Sequence, residues 1–447
     1  MTVLLISILV LLELGFMVFE LTRSSAKKEW TTKRIILNAA QLAVFFLMVL
    51  LPGIDTSFRF MGLIIMLVLR IVVSCIFWLI NRKSIKTKKK AAIVFGGLMG
   101  AVLIASSTLP AFLFTDYEGR PTTGPYTVSQ CNCILVDKNR IETFENDGSN
   151  REVPVYFFAP EEAKDGERFP LVVFSHGAFG YYESNASSYL ELASNGYVVV
   201  SIEHPYHSIF THDSTGKTII ADRQFLSDSM NIGSSDISEA EAYNITSEWM
   251  KLRIDDMNFA IDSLKSPDTD AWFIKEDQKA GVLKAVSLID SAKIGLMGHS
   301  LGGATVVACG RREDISAVID LDGTMLGENI GINGEEVIIN EEPYHTPLLN
   351  FQSEEHHAEA VEAERIGYVY SNNVIIKNAD TAYNTYFQNS DHMNFTDLPL
   401  FSPFLAKKLG TGTVDSGEMI DSLNGIVLRF YECYLKGEGD FTVKEYY

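Results

Sequence analysis

The chain has 447 residues, of which 47% are hydrophobic and 21% are charged. These values are typical of a folded protein, and they exclude a disordered, collagen-like or disulfide-stapled chain. The charge is unevenly distributed, because residues 1–115 contain 13 Lys or Arg and only 4 Asp or Glu, whereas the whole chain carries a net charge of −20. The sequence therefore joins two physically different regions, and the acidic balance of the second argues against a nucleic-acid partner.

Long apolar segments fill the basic region. Each of them is close to or longer than the roughly 18 to 20 residues that a membrane-spanning helix needs. A cleaved signal peptide is a poor alternative for the first segment, because it lacks a basic start and three further segments follow it. Residues 1–115 are therefore predicted to form a four-span membrane anchor, with spans at residues 3–22, 35–52, 61–80 and 91–114.

Lysine and arginine are concentrated in two of the segments that connect these spans. The positive-inside bias places both segments in the cytoplasm. Residues 53–60 and everything after the fourth span then lie outside, so we expect a multi-pass protein of the cell membrane with an extracytoplasmic acidic domain. The basic residues are Arg23, Lys27, Lys28, Lys33 and Arg34 in the first segment and Arg82, Lys83, Lys86, Lys88, Lys89 and Lys90 in the second.

Two charged residues lie inside the predicted spans. Glu13 in the first span and Arg70 in the third are expected at similar depth, because both spans run in the same direction. Charges within a membrane usually pair with one another, which predicts an ion pair between them. The alternative is that each makes a separate polar contact, for example with Asn38 or Gln41 of the second span.

The acidic region has the pattern of an α/β domain. After a predicted connector at residues 116–136, short apolar runs alternate with helical patterns, of which residues 252–264 are the clearest. Strands and helices that alternate in this way predict a mostly parallel, doubly wound sheet, which we assign to a catalytic domain at residues 137–447. The predicted strands lie at residues 171–175, 197–202, 293–297, 317–321, 347–351 and 374–376.

Residues 298–302 match the pattern G-x-S-x-G, with Ser300 at its centre. An apolar run precedes the motif and a run of small apolar residues follows it, as expected for the strand, sharp turn and helix of a nucleophile elbow. A serine hydroxyl is a poor nucleophile until a base removes its proton, and in this fold the acid and the histidine follow the serine in the chain. The motif thus predicts a serine hydrolase.

The predicted base is His392, which lies in a polar loop after the last predicted strand. His356 and His357 directly follow two glutamates at the start of a charged helical pattern. We therefore expect those two histidines to be solvated residues of a helix surface rather than catalytic groups.

Three carboxylates are candidates for the acid. Asp322 directly follows the predicted strand 317–321, at the edge of the sheet where open α/β sheets place their sites. Asp320 points to the same side from deeper in that strand, and Glu354 follows the next strand. The residues alone leave the choice among these three open.

A tetrahedral intermediate needs two backbone N–H donors for its oxyanion. The amide of Leu301 directly follows the nucleophile, and the loop FSHGAFG at residues 174–180 follows an early strand, where the second donor is expected. Ala178 is our prediction for that donor. The neighbouring residues predicted to contact substrate are His176, Gly177, Phe179 and His299.

Together these segments resemble the plasma-type platelet-activating factor acetylhydrolases and their bacterial relatives, which are serine esterases of the α/β-hydrolase fold. The resemblance covers roughly residues 137–435 and none of the membrane region. It implies Ser300 as nucleophile, His392 as base and Asp322 as the acid, in preference to the other carboxylates. The segments that carry the resemblance are residues 174–177, 201–204, 298–303, 319–322, 347–354 and 392–395.

The family's activity implies calcium-independent hydrolysis of short or oxidised acyl esters of phospholipids, and hence a role in lipid degradation. Residues 205–246 match no segment of the family that we can identify, and we expect them to form a cap-like insertion that influences substrate choice. The membrane region also departs from the secreted enzymes.

We therefore expect a membrane-anchored, extracytoplasmic serine ester hydrolase that works through an acyl-serine without a cofactor or a metal. Its expected partners are the lipid bilayer and a small ester or phospholipid-like substrate. Two alternatives share the sequence features: an O-deacetylase or acyltransferase of envelope carbohydrate, and a membrane-bound domain that only binds.

Overall fold

A computed structural model describes residues 1–23, 25–164, 166–232, 237–334 and 336–447 of the chain. The chain forms two compact units. The first comprises Met1–Glu118 and Leu400–Leu405, and the second comprises Gly119–Pro399 and Ala406–Tyr447.

The first unit is built from helices. Among the described residues, three segments are long and apolar enough to cross a membrane, namely Thr2–Leu21, Phe58–Asn81 and Lys90–Leu113. The helices of this unit are α1 Thr2–Leu21, α2 Lys27–Met48, α3 Phe58–Asn81, α4 Lys90–Ser107 and α5 Pro110–Leu113.

Three of the four predicted spans therefore correspond to helices that are long and apolar enough to cross a membrane, whereas α2 is not among them. This helix begins at Lys27, so four of the basic residues that the sequence assigned to a connecting segment belong to its first two turns. Asn38 and Gln41 add polar groups to its middle, and both are buried. The polar residues explain why α2 is less apolar than the other three long helices.

Glu13 forms the predicted ion pair. Its carboxylate is fully buried and contacts Arg70 Nη2 at 2.5 Å and Arg34 Nη1 at 2.5 Å. The polar contacts considered as the alternative are present as well, because Gln41 Nε2 donates to Glu13 Oε2 at 3.4 Å and Asn38 Nδ2 donates to the carbonyl oxygen of Arg70 at 3.0 Å. Glu13 thus connects α1 to both α2 and α3.

The second unit contains the sheet. Its strands are β1 Val128–Ile141, β2 Asn150–Pro160, β3 Phe169–Ser175, β4 Val198–Ile202, β5 Phe210–His212, β6 Thr218–Ile220, β7 Ile289–His299, β8 Ala317–Leu321, β9 Asn329–Asn333, β10 Glu336–Ile339, β11 Leu348–Ser353 and β12 Ala382–Phe387. The remaining α-helices are α6 Ala186–Ser194, α7 Arg223–Asn231, α8 Glu239–Lys265, α9 Glu276–Ser287, α10 Leu301–Cys309, α11 Glu354–Ile366, α12 Ser371–Asn378, α13 Leu398–Phe401, α14 Pro403–Leu409 and α15 Ser416–Tyr431.

Eight strands form the main sheet in the order β1-β2-β4-β3-β7-β8-β11-β12. Within this sheet, the six strands β4, β3, β7, β8, β11 and β12 run parallel to one another, whereas β2 is antiparallel to both of its neighbours. The strands β4 and β8 are buried along their whole length, as expected when helices cover both faces of a parallel sheet. The mostly parallel sheet and the helix predicted at residues 252–264, which lies in α8, agree with the sequence.

One predicted strand is wrong. Residues 374–376 lie in α12, and the strand at the edge of the sheet is β12. A run of three apolar residues does not distinguish a buried helix turn from a strand. Because β12 is the last strand of the main sheet, it carries the exposed Asn384 and lacks a continuous apolar run.

The predicted connector and the predicted cap both contain regular secondary structure. β1 begins at Val128, inside the residues predicted as an exposed connector. The segment predicted as a cap, residues 205–246, contains the hairpin β5–β6, the helix α7 and the first turns of α8. Residues 233–236 of that segment lie outside the described residues.

Candidate active site

Ser300 occupies a sharp turn between β7 and α10. Its backbone has φ +56° and ψ −123°, a conformation that costs free energy for a residue with a side chain. The flanking glycines make the turn possible, because a Cβ at Gly302 would lie 2.0 Å from the carbonyl oxygen of Ser175, and a Cβ at Gly298 would lie 2.3 Å from that of Gly302. The local geometry is therefore that of the nucleophile elbow that the sequence predicts.

Asp322 and His392 meet at the carboxyl edge of the sheet. Asp322 follows β8 with φ +56°, and its backbone N–H donates to the carbonyl oxygen of Phe351 at 2.9 Å. His392 begins a short 3-10 turn that the Asp391 side chain caps. The distance between His392 Nδ1 and Asp322 Oδ2 is 2.8 Å. The predicted base and the predicted acid are thus hydrogen-bonded to each other.

His392 Nε2 is the ring nitrogen that remains for the nucleophile. In the described part of the chain, no hydrogen bond joins this nitrogen to Ser300 Oγ. Hydrogen bonds between a catalytic serine and its base are often long in the free enzyme and shorten only when substrate binds. We therefore expect the hydrogen bond between Ser300 Oγ and His392 Nε2 to form in the complex with substrate.

The other two candidate acids make different contacts. Asp320 is fully buried, and its Oδ1 accepts a hydrogen bond from the N–H of Gly323 at 2.9 Å. Burial, together with the nearby charge of Asp322, raises the pKa of Asp320 well above its usual range. Glu354 is exposed, and its Oε2 accepts from the N–H of Asn389 at 2.9 Å. Of the three carboxylates, Asp322 is the one in contact with His392.

His356 is not the solvated helix residue that the sequence predicts. Ser353 caps the N-terminus of α11, and this cap turns His356 back toward the sheet, where its Nδ1 lies 2.9 Å from Asp322 Oδ1. The same oxygen accepts a hydrogen bond from the N–H of Ser353 at 2.5 Å. A serine that follows a buried strand and precedes two glutamates is an N-cap signal. This signal could have predicted that α11 begins directly after Ser353, which places His356 in the first turn of the helix.

The electrostatics of the cluster follow from these contacts. Burial alone would raise the pKa of Asp322, but the hydrogen bonds from His356 and His392 outweigh it and hold the pKa below its usual range. Burial would lower the pKa of His356, but the bond to Asp322 and its charge raise it to about 9. At His299, burial and the nearby His392 lower the pKa to about 3. At neutral pH Asp322 is therefore ionised, His356 is a cation and His299 is neutral.

Asp322, His356 and His392 also bring metal-ligand types of atom within 4.8 Å of one another. Each oxygen of the Asp322 carboxylate already accepts a hydrogen bond from a histidine nitrogen. Hydrogen bonding therefore accounts for the cluster, and the arrangement does not call for a metal ion.

The loop after β3 passes beside Ser300. A Cβ at Gly177 would lie 3.1 Å from Ser300 Cβ, so the backbone approaches the nucleophile closely. The N–H of Phe179 donates to the carbonyl oxygen of His207 at 3.0 Å. Among the hydrogen bonds of the described residues, none uses the N–H of Ala178 or of Leu301. These two amides, which the sequence predicts as oxyanion donors, are therefore available to a ligand.

Arg253 on α8 holds this loop from behind, and sequence reasoning did not identify it. Its side chain is fully buried. Nη1 donates to the carbonyl oxygen of His176 at 2.5 Å and Nη2 to that of Gly177 at 3.2 Å. The guanidinium thus fixes the two peptide groups that precede Ala178.

Two of the residues predicted to contact substrate have buried side chains. His176 is fully buried, and its Nε2 lies 2.9 Å from Ser208 Oγ. His299 Nε2 lies 3.2 Å from the carbonyl oxygen of His392. These contacts correct the prediction for His176 and His299, because both imidazoles support the loops around the site instead of facing a substrate. Gly177 and Phe179 remain candidates for substrate contact.

A second Ser-His-Asp arrangement lies behind the loop. Ser175 Oγ is 2.9 Å from His204 Nε2, and His204 Nδ1 is 3.1 Å from Asp256 Oδ2. All three side chains are fully buried, and Arg151 forms two hydrogen bonds with Asp256. Burial and the charge of Arg253 lower the pKa of His204 to about 3. No substrate can reach Ser175 in this packing, so accessibility separates this network from Ser300.

Comparison with known proteins agrees with this description. Residues 139–445 match the family model of platelet-activating factor acetylhydrolase, isoform II. The chain is 24% identical over 301 residues to a platelet-activating factor acetylhydrolase of Gallus gallus, covering 62% of this chain and 65% of that protein. It is 26% identical over 291 residues to the Canis lupus familiaris protein of the same name, covering 62% and 60%. The match therefore spans less than two thirds of these relatives.

A solved structure shares the fold. The ferulic acid esterase from Streptomyces cinnamoneus matches with a TM-score of 0.52 and 19% sequence identity, covering 72% of this chain and 93% of that chain. At this identity the likeness concerns the fold alone, and it supports the α/β-hydrolase fold that the sequence predicts.

Proposed function

Since the chain belongs to the family of platelet-activating factor acetylhydrolase, isoform II, we propose that it is a membrane-anchored serine ester hydrolase. It cleaves short acyl or lipid-like carboxylic esters and works outside the cytoplasm. The observation that carries this proposal is the 2.8 Å contact between His392 and Asp322 at the edge of the sheet where Ser300 occupies its strained turn.

In the proposed reaction, Ser300 Oγ attacks the carbonyl carbon of the ester while His392 Nε2 accepts the hydroxyl proton. Asp322 stabilises the imidazolium that forms and holds its tautomer. The oxyanion of the tetrahedral intermediate accepts hydrogen bonds from the N–H groups of Leu301 and Ala178. His392 then donates its proton to the departing alcohol, which leaves an acyl-serine.

Deacylation repeats these steps with water. His392 takes a proton from the water molecule as its oxygen attacks the acyl carbon, and the same two amides bind the second oxyanion. Breakdown of this intermediate releases the carboxylic acid and returns the proton to Ser300. The reaction requires no group beyond the side chains and amides named here.

The membrane assignment rests on three helices of sufficient length and apolarity and on the excess of Lys and Arg in residues 1–115. The basic residues at the start of α2 and between α3 and α4 support a cytoplasmic position for both segments, which requires that α2 and α3 both cross the bilayer. Since α4 crosses the bilayer once more after the second basic segment, the second unit would then lie outside the cytoplasm. A protease-protection assay on oriented vesicles tests this, and protection of the second unit from protease on the cytoplasmic side is the expected result.

The chemistry is tested with the full chain in detergent. We expect hydrolysis of p-nitrophenyl esters that falls as the acyl chain lengthens, together with labelling by a fluorophosphonate probe, which reacts with activated serines. Ser300→Ala removes both signals, whereas the exposed Ser287→Ala retains them. A rise in rate with chain length would instead indicate a lipase-like site. Wild-type protein that neither hydrolyses nor reacts with the probe would refute the hydrolase proposal and favour a binding domain.

A further inference from the structure

Two histidines share the carboxylate of Asp322. Its Oδ2 lies 2.8 Å from His392 Nδ1, and its Oδ1 lies 2.9 Å from His356 Nδ1. The carboxylate is 1% exposed, so its charge is directed to these two rings rather than to solvent. A serine hydrolase triad needs one histidine on the acid, and the second one requires an explanation.

His356 sits where its charge acts on His392. The two ring centroids are 5.6 Å apart. The titratable groups that face His356 are Asp322, Glu359, Asp320 and His392, and the charges of the three carboxyl groups raise the pKa of His356. The net surroundings of His356 thus favour its protonated form.

The surroundings of His392 contain few other charges. Asp322 faces one side of its ring, and His299 faces another with a centroid distance of 4.6 Å. Asp391 contacts the backbone N–H of His392. His299 is neutral across the working pH range, because burial lowers its pKa to about 3. Among the described residues, His356 is therefore the cation in ring contact with His392.

We propose that His356 is a positioning residue that shares the Asp322 carboxylate with His392 and thereby keeps His392 deprotonated at lower pH than an unshared carboxylate would. This inference rests on the proposed hydrolase function. An acidic partner alone raises the pKa of a histidine, and a neighbouring cation opposes this shift. By competing for the carboxylate, His356 extends the pH range in which His392 accepts the Ser300 proton.

The contact also has a geometric consequence. With Oδ1 held by His356 and by the N–H of Ser353, the carboxylate can turn only Oδ2 toward His392. The shared carboxylate therefore selects the tautomer of His392 with its proton on Nδ1, which leaves Nε2 free to act as the base.

The test is the pH profile of kcat/KM for a short-chain p-nitrophenyl ester, measured with the full-length protein. His356→Gln removes the cation but keeps a side-chain donor near Asp322, and His356→Arg keeps a permanent cation. We expect the acid limb of His356→Gln to move to higher pH by about one unit, and that of His356→Arg to stay near the wild-type position. His357→Gln is the matched control, because His357 contacts Gln352 instead.

Equal limbs in wild type and His356→Gln, or equal shifts in His356→Gln and His356→Arg, would overturn the inference. If His356→Gln does not fold, His356→Asn, which also removes the cation, takes its place in the comparison with wild type and His356→Arg. The pH dependence of fluorophosphonate labelling provides the same limb without turnover. Wild-type protein without Ser300-dependent turnover or labelling would refute the proposed hydrolase, whereas an active enzyme with unchanged limbs would refute only the role of His356.

Discussion

Arg253 Nη1 donates a hydrogen bond to the carbonyl oxygen of His176 at 2.5 Å, and this contact ties helix α8 to the loop that passes Ser300. A fully buried guanidinium that binds two successive carbonyls fixes the orientation of the following peptide. The proposed oxyanion donor Ala178 therefore depends on a residue more than seventy positions later in the chain.

Arg253→Met tests this dependence. Because the loop loses both anchors, we expect kcat for a short-chain ester to fall by about 100-fold, a loss typical of one oxyanion donor. KM should change little if ground-state binding does not use the donor. Lys251→Met is the control, because Lys251 is exposed and pairs with Asp255 on the same helix. A kcat within threefold of wild type would contradict the role of Arg253.

Asp322→Asn and Asp320→Asn form a matched pair. Asp322 is ionised at neutral pH and holds His392, so its amide variant should lose on the order of 10⁴-fold in kcat. Asp320 has a pKa raised by burial and is expected to be protonated, so that an amide replaces a group without charge. Its variant should retain most of the activity. Steady-state kinetics of both purified variants provide the test. A larger loss of kcat in Asp320→Asn than in Asp322→Asn would show that Asp322 is not the catalytic acid.

Gly302→Ala tests the elbow. The added Cβ would lie 2.0 Å from the carbonyl oxygen of Ser175, so β3 and α10 would have to separate. We expect a loss of at least about 3 kcal/mol in the free energy of unfolding of the second unit, together with loss of probe labelling. Gly425→Ala on α15 is the control, because a Cβ there meets its nearest atom at an ordinary distance of 3.7 Å. Similar unfolding curves for the two variants would argue against the tight turn.

Arg70→Leu tests the buried pair of the first unit. Removal of this cation leaves the Glu13 carboxylate with Arg34 and Gln41 as partners, and breaking a buried pair typically costs about 3 kcal/mol. The variant should therefore unfold at a lower temperature in detergent, whereas the exposed Arg82→Leu should not. Equal melting temperatures for Arg70→Leu and wild type would show that the pair contributes little.

His356 also makes stability depend on pH. Its pKa is raised to about 9 in the folded protein, above the ordinary value of about 6.5 for histidine. A raised pKa contributes stability below the unfolded value and loses it as pH rises through the folded value. The difference in melting temperature between wild type and His356→Gln should therefore be greatest near pH 6 and shrink by pH 10. A difference that grows with pH would contradict the assignment of the cation.

Much of the site could be predicted because its elements are local in sequence. The elbow is specified by residues 298–302 and their apolar neighbours, and Asp322 follows a short strand that is mostly apolar and buried along its length. The base His392 was predicted from its position in a polar loop after the last predicted strand, whereas the choice of Asp322 as the acid needed the family resemblance. The antiparallel β1 and the edge strand β12 were harder, because exposed or mixed strands lack a continuous apolar run.

Composition and local pattern by themselves predicted the division into two regions, the parallel sheet, Ser300 as the nucleophile and His392 as the base, since each depends on neighbours within a few residues. Only the tertiary structure decided that His356 shares Asp322, that Arg253 holds the oxyanion loop and that the Ser175 network is sealed from substrate. These contacts join residues 29 to 77 positions apart or depend on burial. Local periodicity carries no information about such distances, because they are set when the strands and helices pack together.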